Sequence, residues 1–109
     1  MASEVMKVAL TKELSNSEVD LVTAGSGKTL TVLSISICET AGAAETFDLY
    51  IRDNAGSSDY EILSDQALGA NETFEYTGRI VLEATDALAA QTASGADVDV
   101  VVTYLLQTL

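Results

Sequence analysis

A chain of 109 residues with seventeen acidic and five basic side chains carries a formal charge of −12, a field that repels nucleic acid and anionic membrane surfaces and argues against both as direct partners. Without a histidine it can assemble neither a Ser/His/Asp nor a Cys/His nucleophile, zinc would lack its commonest nitrogen ligand, and one cysteine cannot close an internal disulfide. Apolar residues make up 48% of the chain, yet no run of about 18 of them could span a bilayer, so the composition is that of one globular domain of the usual size, roughly 100 to 200 residues.

Residues 1–14 read as an N-terminal arm or first strand, because Met6, Val8 and Leu10 alternate as a strand requires, although Val5, Met6, Ala9 and Leu10 would also share a helical face. They lack the basic start and long apolar core of a secretory leader, so folding in a cytoplasm is expected. Residues 15–109 form the sandwich domain. In EVDLVTA, Val19 and Leu21 fall on one face. TAGSGKT then ends like a phosphate-binding loop, but Val22 stands where the fingerprint GxxxxGK[ST] needs its first glycine, and Thr29 leads into β-branched residues with no helical stripe. Gly25 and Gly27 therefore read as turn residues supplying positive φ in a hairpin, and Lys28 as a cation for acidic neighbours. TLTVLSISIC shifts its apolar phase from Leu30 and Val32 to Leu33, Ile35 and Ile37, the mark of a bulge or of burial on both faces. Cys38, at its end, reads as a small buried hydrophobe.

TFDLYIRD sets Phe47, Leu49 and Ile51 on one face and Asp48, Tyr50 and Arg52 on the other. The turn DNAGSSDYE offers oxygen ligands, and Asp53, Asp59 and Glu61 are its candidates for calcium, though their spacing is not that of an EF-hand and a solvated hairpin turn is the simpler reading. DYEIL, ETFEY, RIVLEA and DALAAQTA are further short strands. In ADVDVVVTYL, Val98, Val100, Val102 and Tyr104 alternate with residues that grow more apolar towards the C-terminus, so its last residues should face something. Asp97 and Asp99 would lie on its outer face about 7 Å apart by strand geometry, a solvated pair or a guard against edge pairing. Short alternating runs at a spacing of roughly 8 to 12 residues, parted by Gly, Asn, Ser and Asp clusters, indicate an all-β fold. A single antiparallel β-sandwich of about eight strands is expected, jelly-roll or immunoglobulin-like.

In this order the segments TAGSGKT, TLTVLSISICETAGAAETFDLYI, DYEIL, LGANETFEY and RIVLEATDALAAQTASGADVDVVVTYL resemble the small β-sandwich structural proteins of tailed bacteriophage virions, over Val19 to Leu105. The resemblance implies a non-enzymatic virion protein, foremost a capsid decoration or cement protein on the virion surface, made in the host cytoplasm. Its partners would be the major capsid protein or other virion proteins, and it would act as a homo-oligomer, often a trimer. It brings no catalytic residue and no cofactor. Val5, Met6, Val8 and Leu10 of the arm and Val101, Leu105, Leu106 and Leu109 at the C-terminal end are the expected contact surface. The alternative is a receptor- or carbohydrate-binding head module of a tail or head fibre, using its loops and calcium at Asp53, Asp59 and Glu61.

Overall fold

The computed structural model describes residues 3–54, 58–95 and 97–108. Nine strands follow in chain order: β1 (Ser3–Leu14), β2 (Val19–Thr23), β3 (Lys28–Glu39), β4 (Glu45–Asp53), β5 (Ser58–Leu68), β6 (Thr73–Tyr76), β7 (Ile80–Glu83), β8 (Ala87–Thr92) and β9 (Val98–Thr108). They build two antiparallel sheets, a larger one in the order β1-β9-β3-β6, with β7 also on β3, and a smaller one in the order β2-β8-β4-β5. β6 pairs with Ile35–Cys38 and β7 with Thr29–Val32, successive lengths of one edge of β3, so nine strands fill eight places. Only β4–β5 and β6–β7 are joined within a sheet; every other connection crosses between layers, and the first strand lies beside the last. That interleaving is jelly-roll topology and rules out the immunoglobulin-like alternative.

The glycine-rich TAGSGKT segment is one of those crossings, an arch from β2 to β3 and not a hairpin. The Lys28 amide donates to the Gly25 carbonyl (3.1 Å), and of the two glycines only Gly27 takes a positive φ, 73°. Lys28 Nζ donates to Thr108 Oγ1 at 3.3 Å, so its partner is a hydroxyl and not the expected acid.

The phase shift in TLTVLSISIC is a bulge: the register of β3 against β9 slips between Val32 and Ser34, which lets Leu30, Val32, Ile35 and Ile37 all face the core. The same slip turns Cys38 outward, opposite Asp99, so it is half-buried and not the core residue expected of it. Facing β3 across the sandwich are Phe47 and Leu49 of β4 and Leu88 and Ala90 of β8, with Val98, Val100 and Val102 of β9 completing the layer. Phe47 meets Phe74 of β6 edge to face, ring centres 5.7 Å apart, an apolar contact that ties the two sheets directly.

Glu39 closes one end of this core. It is 1% exposed at the tip of β3, and its carboxylate accepts the amide N–H groups of Ala41 and Gly42 on one side and of Asn71 on the other, each at 2.9 Å. Two connections from distant parts of the chain thus hang on one side chain. The Asn71 amide first, then those of Ala41 and Gly42, hold its carboxyl below the ordinary value of 4.5, outweighing the opposing effect of burial. A lowered pKa means that this support is present above the ordinary glutamate range and is lost as pH falls through the folded value. Glu39→Gln should therefore melt at a lower temperature than the wild type at pH 7, and the difference should shrink steadily as pH is taken below about 4.5; melts followed by circular dichroism across that range check it.

Candidate functional site

Strand pairing decides which side chains share a face. On the outer face of the larger sheet, Met6 lies opposite Leu105, which lies opposite Thr31, which lies opposite Val81. The next rows are Val8, Thr103 and Ser34, then Leu10, Val101, Ser36 and Glu75. The result is a strip along β1 and β9 whose side chains are apolar and open to solvent: Leu10 is 74% exposed, Met6 60%, Val8 55% and Val101 39%. The hydroxyl groups of Thr31, Ser34 and Ser36 border it, and Val81, 57% exposed on β7, lies beyond them. At its far end Asp99 accepts the Glu13 amide (3.0 Å) and meets Lys12 Nζ at 3.6 Å, fixing a bulge where β1 leaves regular pairing between Thr11 and Leu14. A shallow hollow of about 250 Å³ lies against Leu10, Lys12, Asp99 and Val101.

The expected contact residues therefore divide. Met6, Val8, Leu10, Val101 and Leu105 come together on the outer face; Val5 and Leu106 pair in the opposite phase, where Leu106 packs against the core and Val5 stays exposed. Leu109 lies outside the described residues. Val81 belongs to the same outer face but was not singled out in the sequence, because RIVLEA alternates too briefly to show which sheet it joins.

The outer face of the smaller sheet has the opposite character. Arg52 lies among acids, meeting Asp20 Oδ1 at 2.9 Å, Glu18 Oε1 at 3.4 Å and Asp59 Oδ1 at 3.8 Å, and Asp20 above all raises its pKa. Tyr50, read as outward, is buried among them and donates its hydroxyl to Glu18; burial first and that bond second push its pKa up. Glu61 is pushed up by burial and by Asp48, Asp59 and Asp65 around it. The calcium candidates do not meet here. Asp53 accepts the Ser58 amide at 2.9 Å on the core-side phase of β4, whereas Asp59 and Glu61 pair with Arg52 and Tyr50 on the outer phase. Among the described residues no three acids or cysteines converge as metal ligands would.

Asp97 and Asp99 are not a pair either. Asp97 precedes β9, so strand alternation does not govern it, and its side chain turns towards Glu45, which is 7% exposed and accepts the Thr46 amide (3.0 Å) and the Ser94 hydroxyl (3.3 Å). Asp97 Oδ1 is buried without a hydrogen-bond partner among the described residues. Burial, then Glu45, then Glu39 raise the Asp97 pKa, because each disfavours the charged carboxylate.

No family model matches the chain, and no curated protein matches it in sequence. Solved structures do share the fold. The capsid of Helicobacter pylori bacteriophage KHP30 matches with a TM-score of 0.55 and 16% identity over 97% of this chain and 92% of that one. An infectious bursal disease virus (IBDV) particle protein matches with a TM-score of 0.57 and 10% identity over 97% of this chain, which spans only 31% of the viral one. The Drosophila NLP core, a structure described for pentamer formation and histone binding, matches with a TM-score of 0.54 and 16% identity over 94% and 97%. At such identities the likeness establishes a common jelly-roll sandwich.

A raised pKa makes Asp97 a liability that grows with pH: the fold is favoured below the ordinary aspartate value of 3.8 and pays for ionisation as pH rises through the folded value. Asp97→Asn should accordingly melt at a higher temperature than the wild type at pH 7 and lose that advantage in acid, the reverse of the trend at Glu39; parallel thermal melts check the sign.

Proposed function

We infer that this chain is a non-enzymatic structural component of a phage virion, a decoration protein that docks on the capsid through the outer face of its larger sheet. The observation that carries the reading is the strip of Met6, Val8, Leu10 and Val101, exposed apolar residues aligned in register with the half-buried Leu105 on one face of a jelly roll. An apolar strip of this kind gains about 25 cal/mol per Å² when a partner covers it, before association costs. The likeness to viral capsid jelly rolls supports the same reading, as does the absence of histidine. Its partners would be the major capsid protein and sister subunits, with an outward acidic face away from packaged nucleic acid and a homo-oligomer matching a symmetric site. The loop-centred head module has less in its favour, since Asp53 is parted from Asp59 and Glu61.

A second reading has its own observation: the acidic outer face of the smaller sheet, on a fold shared with the histone-binding NLP core, would suit a basic protein. One experiment separates the two. Purified protein is added to capsids of its own phage assembled without it, and to a lysine-rich histone, in physiological salt. The decoration reading expects ordered occupancy of the shell and a higher temperature of particle disruption, both abolished by Val8→Lys with Leu10→Lys. Failure to bind the shell, with retention of the histone, would overturn it in favour of the acidic face.

A further inference from the structure

We propose that two copies of this chain join edge to edge along β1, antiparallel and about a two-fold axis at Val8, so that their larger sheets become one continuous sheet. The sandwich has two long edge strands, β1 of twelve residues and β5 of eleven; the other edges, β2, β6 and β7, are five residues or fewer. A long exposed edge is a template for another strand unless something guards it. β5 is guarded. It carries Asp59, Glu61 and Asp65 without a basic residue, and its pairing with β4 slips on both sides of Leu49. β1 is guarded less: its register with β9 is unbroken from Ser3 to Thr11 and slips only beyond it, before Leu14, and Glu4 and Glu13 balance Lys7 and Lys12, so the whole formal charge of −12 falls outside it. This strand is where a second molecule of the same strong charge can approach with least repulsion.

The sequence of β1 also selects a register. Only alternate residues of an edge strand turn their N–H and C=O groups outward, so an antiparallel pair of identical strands matches residues whose numbers sum to an even value. With Lys7 on the axis, the two lysines would oppose each other; with Ala9 on the axis, Met6 would face Lys12 and Val5 would face Glu13. With Val8 on the axis, Glu4 of each copy faces Lys12 of the other, Met6 faces Leu10, and Val8 faces itself. Opposite charges then close both ends of an apolar centre, and symmetry makes each contact twice. Because Met6, Val8 and Leu10 lie on the same face as Val101 and Leu105, the pairing also fuses two strips into one surface around the axis. The contact goes beyond the virion reading and does not need it, since it is a property of the free chain.

The test is sedimentation of the free protein over rising concentration, with Glu4→Lys and Lys12→Glu measured alone and mixed. The wild type should pass from monomer to dimer, and each variant alone should dimerise about tenfold or more weakly, because both terminal pairs become like-charged. An equimolar mixture should recover the dimer, since both lysines that the first variant presents at these two positions then meet glutamates of the second. Lys12 also meets Asp99 within its own chain, so Glu4→Lys, at an exposed site, carries the test if Lys12→Glu folds poorly. In that event Val8→Cys in a Cys38→Ser background supplies the register: it should cross-link on mild oxidation, whereas Met6→Cys should not. A wild type that stays monomeric at millimolar concentration or forms a trimer, a Glu4→Lys variant that dimerises as well as the wild type, or a mixture of folded variants that fails to recover would each overturn the proposal.

Discussion

The parity of β9 is the constraint on which the rest of the molecule depends. It is bonded along nearly its whole length on both sides, to β1 and to β3, and its side chains alternate between the sealed core and the open face. Val98, Val100 and Val102 are at most 1% exposed, while Val101 between them is 39% exposed. A slip of one residue would exchange those sets, so the core specifies the register and the register specifies the exposed strip. Packing and surface are thus two consequences of one alternation, and the apolar outer face cannot be adjusted without respecting the core beneath it.

The ends of the sandwich obey a different rule. Crossing connections leave amide groups that no ladder satisfies, and Glu39 gathers three of them. At the same end Asp97 lies beside Glu45, and burial first, then Glu45, raise the Asp97 pKa. One carboxylate is stabilised by amide donors and the other is strained by its neighbours. Their opposite shifts make the stability of this end a balance that changes with pH, while the apolar strip on the larger sheet holds its exposed hydrophobic character throughout.

Much of the fold was legible because burial writes itself into alternation. β3, β4 and β9 were readable from their buried valines, leucines, isoleucines and Phe47, and even the bulge in β3 announced itself as a change of phase. β5 was under-read, as DYEIL, because Ser64, Asp65 and Gln66 lie where this edge strand slips against β4 and carry no apolar signal. Jelly-roll and immunoglobulin-like order were indistinguishable, since which sheet receives the next strand depends on contacts far apart in sequence. The same reason hid the roles of Glu39 and Asp97, and the division of the candidate surface: Val5 and Met6 are adjacent letters, and only the partner strand reveals that they face opposite ways.

In the proposed assembly this jelly roll joins its partners through the β1 side of its larger sheet. Backbone amide exchange, compared between the dilute monomer and the assembled protein, addresses it most directly, because pairing or docking there must protect amides that the free edge leaves open. Protection gained in Ser3–Thr11, with β5 exchanging as before, is the predicted result; protection appearing at β5 and the acidic face, with β1 unchanged, would contradict it.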